Sequence, residues 1–436
     1  MNLDLKKETD RIKEWGGPRL SGRVTHVIGL LIESTGPQAY IGELCHVYGK
    51  HGKKIPCQVV GFKDHKVLLM SLGEVSEIAP GCEVFPTDEV HLVPCAQTLC
   101  GRILDALGNP IDDKGDLVPE TFYPVSAPPP KPLKRKRITE ILPTGIKAMD
   151  GLITLGRGQR IGIFSGSGVG KSTLMGMIAK RALADINVIA LIGERGREVR
   201  EFIEKDLGPE GLAKSVVIVA TSDQAALLRS KGANVATAIA EYFRDQGKNV
   251  ILMMDSVSRY AMALREIGLA VGEPPTTKGY TPSVFAQLPR LLERAGNGEN
   301  GSITGIYTIL SEGDESNDPI ADQMRSLLDG HIFLSRELSG AYHFPPIDVL
   351  NSLSRVMNDI VSVSHLKKAS KVRDLLQIYR EAEDLINIGA YTSGSNPKID
   401  EALERIDKIH AFLRQGVDQS ISFEQTETLL DQLVSS

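Results

Sequence analysis

The chain has 436 residues, too many for one ordinary core, and its 50 basic and 55 acidic residues leave a formal charge of -5; two or three domains are expected, with interior enough for a large sheet. So balanced a surface gives no electrostatic argument for wrapping nucleic acid or lying on anionic lipid. No apolar run approaches the roughly 20 residues of a membrane span, and the charged stretch from Met1 to Gly17 is unlike a signal peptide, so a cytoplasmic protein is expected.

Residues 1–21 form an N-terminal segment in which Leu3, Leu5, Ile12 and Trp15 stand among charges, a spacing that suits either a short amphipathic helix docking a partner or a frayed terminus. From residue 22 to 93, apolar runs such as Val24 to Ile32, Gln58 to Phe62 and Lys66 to Met70 alternate with Gly, Asp, His and Pro, which predicts a small β-barrel. Cys45, Cys57, Cys82, Cys95 and Cys100 all lie in the first quarter of the chain; their odd number and irregular spacing suit reduced thiols better than a disulfide framework. Zinc held with His46, His51, His65 or His91 would lack a C-x-x-C pair, so half-buried thiols are the expectation.

Residues 94–361 form the second domain. Its PVSAPPPKPLKRKR run, Pro124 to Arg137, is extended by prolines and basic near its end, and is read as a solvated connector rather than a nucleic-acid patch. Downstream, Gln159 to Phe164, Asn187 to Ile192, Ser215 to Ala220, Asn249 to Met254 and Ser302 to Leu310 read as buried strands with helices between several of them, the rhythm of an α/β domain with a parallel sheet. In residues 362–436 the pattern turns helical, with Leu375, Ile378, Tyr379, Ala382, Leu385 and Ile386, then Ile406, Ile409, Phe412 and Leu413, at helical spacing.

At the end of the strand before Ser165 stands SGSGVGKST, followed by the helix-forming LMGMIAKRALA. Strand, glycine loop, Lys-Ser and helix make the context of a P-loop. Gly166, Ser167, Gly168, Val169 and Gly170 shape an anion-binding concavity of backbone N–H groups, backed by a helix N-terminus that carries Lys171, Ser172 and Thr173. Lys171 neutralises β- and γ-phosphate charge and the Ser172 hydroxyl faces Mg²⁺, so ATP and Mg²⁺ are the expected ligands. The strict motif begins with Gly where this chain has Ser165, a small residue that still fits.

The apolar strand Val250 to Met254 ends in Asp255, at the carboxyl edge where open α/β sheets bind ligands. Alone, Asp255 would read as a helix N-cap; beside a P-loop it reads as the Walker B carboxylate that holds Mg²⁺ through water. The strand Asn187 to Ile192 delivers Gly193-Glu194-Arg195-Gly196-Arg197-Glu198 to the same edge. Such a turn is often only solvated, but here Glu194 is placed to orient and polarise the attacking water, with Arg195 near the γ-phosphate.

The segments GERGREVREF, MMDSVSRYAMALREIGLAVGEPPTTKGYTPSVF, LLERAGNGENGSITGIYTILSEGD, TGIKAMDGLITLGRGQRIGIFSGSGVGKST, DGHIFLS and FPPIDVLNSLSRVMN resemble the rotary-type ATPase family from about Gly22 to near the C-terminus. The resemblance implies a β-barrel, a RecA-like nucleotide domain and a C-terminal helical domain. It places the catalytic carboxylate at Glu194 and the Walker B residue at Asp255. It places an arginine finger, given to a neighbouring subunit's nucleotide, at Arg355 of Ser352-Leu353-Ser354-Arg355. Read without it, Arg355 is a surface arginine. It also implies adenine-stacking rings at Phe344, where relatives carry Tyr, and Phe423, for which core packing is the competing account.

Rotary synthases divide the Glu and the finger between two kinds of subunit, whereas this chain carries candidates for both, so identical copies suffice for a homohexameric ring. ATSDQAALLR, EYFRDQGKNVILMMDSVSR and TTKGYTPSVFAQLPRLLERAG resemble the export ATPases of flagella and type III secretion systems, the flagellar branch being preferred to the injectisome one. That implies a regulator, stalk and export-gate components and substrate–chaperone complexes as partners, at the periphery of the membrane export apparatus. An RNA-dependent ring helicase would need aromatic platforms and basic residues on its barrel. Between Gly22 and Val93 the aromatics are only Tyr40, Tyr48, Phe62 and Phe85, without a clustered aromatic-basic motif, and no nucleic acid is expected. A non-catalytic nucleotide-binding ring subunit is opposed by the presence of Glu194.

Overall fold

The computed structural model describes residues 20–73, 75–310 and 318–434. The stretch from Asn2 to Trp15, weighed above as an amphipathic helix, lies outside them. Strands β1 (Gly22–Ile28), β2 (Leu31–Thr35), β3 (Glu43–Tyr48), β4 (Lys54–Lys63), β5 (Lys66–Ser71) and β6 (Glu83–Val90) close a barrel in the order β1-β2-β5-β4-β3-β6. The run Val24 to Ile32, continuous in hydropathy, is two strands, because Gly29 at φ 57° turns the chain and Ile28 pairs with Leu31. Val24, Ile32, Val47, Ile55, Val59, Leu69 and Val84 fill the barrel. Cys45 and Cys57 face each other across β3 and β4 as free thiols, and burial pushes each up to about 12.

The chain then leaves the barrel through β7 (Leu92–Cys95), which pairs with β9 (Thr121–Pro124), while β8 (Ile103–Leu104) joins the edge of the large sheet. The connector is anchored at its basic end, where Arg135 donates to the Ala295 carbonyl at 2.7 Å and pairs with Glu293. Helix α1 (Lys147–Leu152) precedes β10 (Arg160–Ser165) and α2 (Lys171–Arg181) follows it. Next come β11 (Ile186–Ile192), α3 (Gly196–Glu201), which runs on through the π-helical turn Phe202–Leu207, β12 (Ser215–Ala220), α4 (Ala226–Asp245), β13 (Asn249–Asp255) and α5 (Val257–Val271). The domain closes with β14 (Gly296–Asn297), β15 (Ser302–Leu310), α6 (Pro319–Leu327), β16 (Gly330–Leu334) and β17 (Ile347–Ser354).

The large sheet runs β17-β16-β10-β15-β13-β11-β12-β8, parallel throughout except for β17 against β16 and the side strand β14 against β15. Its central strands are buried along their whole length, as apolar β-branched runs covered by helices on both faces must be. One core lies on each face of the sheet. Helices α7 (Val363–Asn387), α8 (Pro397–Leu413) and α9 (Phe423–Val434) pack against α1 on one of these cores, through Val372, Leu375, Ile406, Ile409 and Leu430.

On the other face, Arg294 is a buried guanidinium that makes two bonds to Glu241, at 3.0 and 2.7 Å, and a third to the Val125 carbonyl at 2.8 Å. Their side chains are 3% and 6% exposed, so removing one partner strands a charge in the interior. Arg294→Ala is therefore expected to cost about 3–5 kcal/mol in denaturant unfolding. Arg294→Met combined with Glu241→Leu should recover most of that loss.

Candidate functional site

The parallel register brings three strand ends level at one edge. Strand β10 runs into the P-loop, where Gly168 and Gly170 take φ 77° and 96°, and the left-handed Gly170 caps α2 so that Lys171 and Ser172 begin the helix. Strand β13 ends in Asp255, and β11 leads through Gly193 to Glu194. A cavity of about 370 Å³ opens between them, lined by Gly166, Ser167, Gly168, Gly170, Lys171, Ser172, Thr173, Glu194, Arg195 and Asp255 among others. Val169, the remaining P-loop position, points away into the core. Ser165, in place of the first glycine, is buried with its hydroxyl unpartnered.

Lys171 forms an ion pair with Asp255 and its Nζ lies 3.9 Å from Glu194 Oε1. The three side chains are only 12%, 5% and 14% exposed, so little water screens them. Asp255 Oδ1 also accepts from Thr308 Oγ1 at 2.8 Å, a hydroxyl delivered by the neighbouring strand β15. Burial, reinforced by the Asp255 charge and opposed by Lys171, pushes the Glu194 carboxyl up to about 7. Arg195 stands at the lip, largely exposed and 3.4 Å from Glu198.

Arg259 was not singled out in the sequence. It lines the cavity from α5, four residues after Asp255, with its Nε buried and unpartnered. Its stem lies over Gly193, where a Cβ would come within 2.8 Å of the Arg259 Cβ, so the glycine before Glu194 is needed for close packing. The sequence signal was an arginine one helical turn beyond the Walker B aspartate, easily taken for a solvated helix residue.

The remaining candidates lie elsewhere. Phe344, 42% exposed, belongs to the turn whose Pro346 abuts the P-loop, a Cβ on Gly170 falling 3.9 Å from the proline ring. Its carbonyl accepts from Gln415 N at 2.9 Å. Phe423 opens α9 and stacks on His365 with ring centroids 5.7 Å apart. Neither ring is among those lining the phosphate cavity. Arg355 is exposed and follows β17, its N–H bonded to the Asp329 carbonyl while the Asp329 N–H bonds Arg160. It is therefore level with the start of β10, whereas the P-loop follows the end of that strand. Five residue steps at about 3.3 Å put roughly 17 Å between these levels, beyond the reach of an arginine side chain.

In sequence, residues 24–88 match the β-barrel domain of the ATP synthase alpha/beta family, residues 145–354 match that family's nucleotide-binding domain, and residues 361–432 match the T3SS EscN ATPase C-terminal domain. A flagellum-specific ATP synthase of Bacillus subtilis is 55% identical over 438 residues, spanning 100% of this chain and 98% of the relative. A type 3 secretion system ATPase of Xanthomonas euvesicatoria is 51% identical over 413 residues, spanning 94% of this chain and 93% of the relative. The chain belongs to the family of flagellum-specific ATP synthases and type III secretion ATPases. The assembled ATPase EscN of the enteropathogenic E. coli type III secretion system shares the fold of this export ATPase with a TM-score of 0.89 at 44% identity, covering 95% of this chain and 100% of that one. The barrel, RecA-like domain and helical domain are thus those of the family, and the chain is a P-loop ATPase.

Glu194 supplies a direct test of the site's electrostatics. In the nucleotide-free export ATPase its carboxyl should titrate with a midpoint near 7, read by carboxyl infrared bands against a Glu194→Gln control. Asp255→Asn removes a charge that opposes ionisation, so the midpoint should move down.

Proposed function

We propose that this ATPase works as a homohexameric ring that energises flagellar protein export, each active site being shared between adjacent subunits. The observation that carries this reading is the placement of Arg355 at the sheet edge opposite Lys171 and Glu194, joined to them only through β10 and its neighbours. A guanidinium there serves no nucleotide of its own subunit, and in a head-to-tail ring it meets the next subunit's site.

The cavity suits Mg·ATP. The P-loop glycines leave backbone N–H groups facing it, and Ser172 and Asp255 offer hydroxyl and carboxylate oxygens, the hard donors that Mg²⁺ takes. Asp255 already holds a cation in the form of the Lys171 ammonium. When bound, the metal neutralises charge on the β- and γ-phosphates. Lys171, now paired with Asp255, would turn to those phosphates, and Ser172 and Asp255 would hold the metal, Asp255 through water. Glu194, ionised above about pH 7, orients the water and accepts its proton as the bond to the γ-phosphorus forms and ADP departs. Arg195 and Arg259 face the γ-phosphate from the cavity side, and the neighbour's Arg355 takes up charge on the transferred phosphoryl group, a contribution worth roughly 10³–10⁵ in rate. Phe344 carries the adenine beside the P-loop, and Phe423, backed by His365, approaches from the helical domain.

The flagellar assignment is favoured over the injectisome one by the Bacillus subtilis relative, whose similarity runs the full length of the chain at 55% against 51% for the Xanthomonas protein. EscN has been solved in complex with its central stalk EscO, with TM-score 0.88 to this chain. A corresponding stalk, together with a regulator, export-gate components and substrate–chaperone complexes, is assigned as partner. Among the described residues no helix is long and apolar enough to cross a membrane, which suits a cytoplasmic enzyme peripheral to the export apparatus.

Specific ATPase activity measured against protein concentration, with mass determined on the same samples, tests the ring. Activity should rise with assembly and fall at least about 10³-fold in Arg355→Ala; activity indifferent to both would refute shared sites. Glu194→Gln should bind ATP and assemble with turnover lost, and intact turnover would remove Glu194 from the chemistry. In wild type, kcat/KM for ATP should climb with pH through about 7, because the base must be ionised. Expression in a flagellated bacterium lacking its export ATPase should restore motility, whereas rescue only of an injectisome-defective strain would reassign the system.

A further inference from the structure

We propose that Gln159 and Ser354 are positioning residues that hold the backbone of Arg355 in place for the neighbouring subunit's nucleotide; the inference rests on the trans role of Arg355 proposed above. Gln159 has no exposed surface and immediately precedes β10. Its Nε2 donates to Ser354 Oγ at 3.0 Å and to the Asp329 carbonyl at 3.0 Å, while its Oε1 accepts from Gly156 N at 2.9 Å. Ser354 is the residue before Arg355, and the Asp329 carbonyl is the acceptor of the Arg355 N–H, also at 3.0 Å. One buried amide thus holds the hydroxyl of the residue before the finger and the carbonyl that accepts the finger's N–H.

The grip is itself fixed. Asp329 donates its N–H to the Arg160 carbonyl at 2.8 Å, and its carboxylate receives Arg160 N at 3.0 Å and Nε at 3.1 Å. At Gly330 a Cβ would lie 2.4 Å from the Leu353 carbonyl, so β16 and the end of β17 approach as closely as two backbones can. The guanidinium, by contrast, is exposed and makes a 3.3 Å contact with the Arg325 carbonyl in the last turn of α6, where unpaired helix carbonyls favour a cation. A backbone held from several directions with an exposed charged head is what a group aimed at another subunit requires, because small misplacement costs rate steeply. An apolar side chain would fill the same interior without the desolvation cost of an amide, so Gln159 is explained by what its amide holds.

Gln159→Met and Ser354→Ala rings, their assembly verified by mass, would be mixed with Lys171→Ala subunits, which bring an intact finger, or with Arg355→Ala subunits, which bring an intact loop. Each variant alone should lose about tenfold or more in turnover while binding ATP at its own loop as wild type does, as expected for lost buried hydrogen bonds. Mixing with Lys171→Ala should restore activity, random mixing giving about a quarter of interfaces a sound loop and a sound finger, and mixing with Arg355→Ala should restore none. Wild-type turnover in both variants, rescue by Arg355→Ala instead of Lys171→Ala, or rescue by neither in intact rings would overturn the proposal. If Gln159→Met does not fold, Ser354→Ala decides alone. The pair Arg355→Ala with Lys171→Ala, run in parallel, separates the two levels. Its recovery without recovery of Gln159→Met or Ser354→Ala rejects only the positioning role, and its failure rejects the trans finger and this inference together.

Discussion

The nucleotide edge depends on one polar contact, the Lys171 ammonium on the Asp255 carboxylate, with Glu194 as the more distant third party. Two carboxylates and one ammonium in a poorly hydrated cleft cannot all be comfortably charged. The ion pair settles on Asp255, which also has the Thr308 hydroxyl, and Glu194 is left as the group whose ionisation burial opposes. The same imbalance makes the site receptive to a polyphosphate. A ligand that draws Lys171 away leaves Asp255 without its counter-charge unless a cation comes with it, which is the electrostatic ground for the proposed Mg·ATP.

That arrangement exists because strands of a parallel sheet end at the same level. Asp255 and Glu194 come from β13 and β11, Lys171 from the loop after β10, and no two of them are close in sequence. The opposite ends of the same strands are just as level. There Gln159 and Arg160, at the foot of β10, meet Asp329 and the end of β17. A short, fully paired strand thus ties the loop that holds one nucleotide to the backbone that carries Arg355. If sites are shared as proposed, β10 and the hydrogen bonds at its foot make a short route from one site to the next.

What the sequence disclosed and what it hid follow from the same geometry. The central strands were legible to within a residue or so because strands covered on both faces have to be apolar throughout, as in Ile186–Ile192 and Asn249–Asp255. The P-loop was legible because its glycines, lysine and serine are contiguous. Arg259 was not, since its role depends on the turn from β13 into α5 and on the absence of a side chain at Gly193. The break at Gly29 was hidden for the opposite reason: apolar residues continue across it, and only the backbone reverses. Gln159 read as the first residue of a strand, and nothing local tells that its amide crosses to Ser354, 195 positions away.

The helical domain is fastened to the same strand from the other direction. Lys147 N donates to Gln415 Oε1 at 2.9 Å, the Gln415 amide donates to the Gly145 carbonyl at 2.8 Å, and His365 Nε2 lies 2.9 Å from the Gly151 carbonyl. All three contacts fall on residues 145–151, the segment that feeds β10 through α1. Gln415 N also holds the Phe344 carbonyl, so the turn beside the P-loop and the segment before β10 are tied to one side chain and backbone of the helical domain. A shift of the helical domain therefore cannot leave the P-loop surroundings untouched. The polar anchors concentrate it on α1 and on the turn around Phe344, whereas the barrel packs on the core near Leu227, through Leu31, Leu68, Met70 and Leu72, away from these anchors. The polar ties to the segment before β10 and to the turn beside the P-loop thus come from the helical domain, whereas the barrel's contact is apolar.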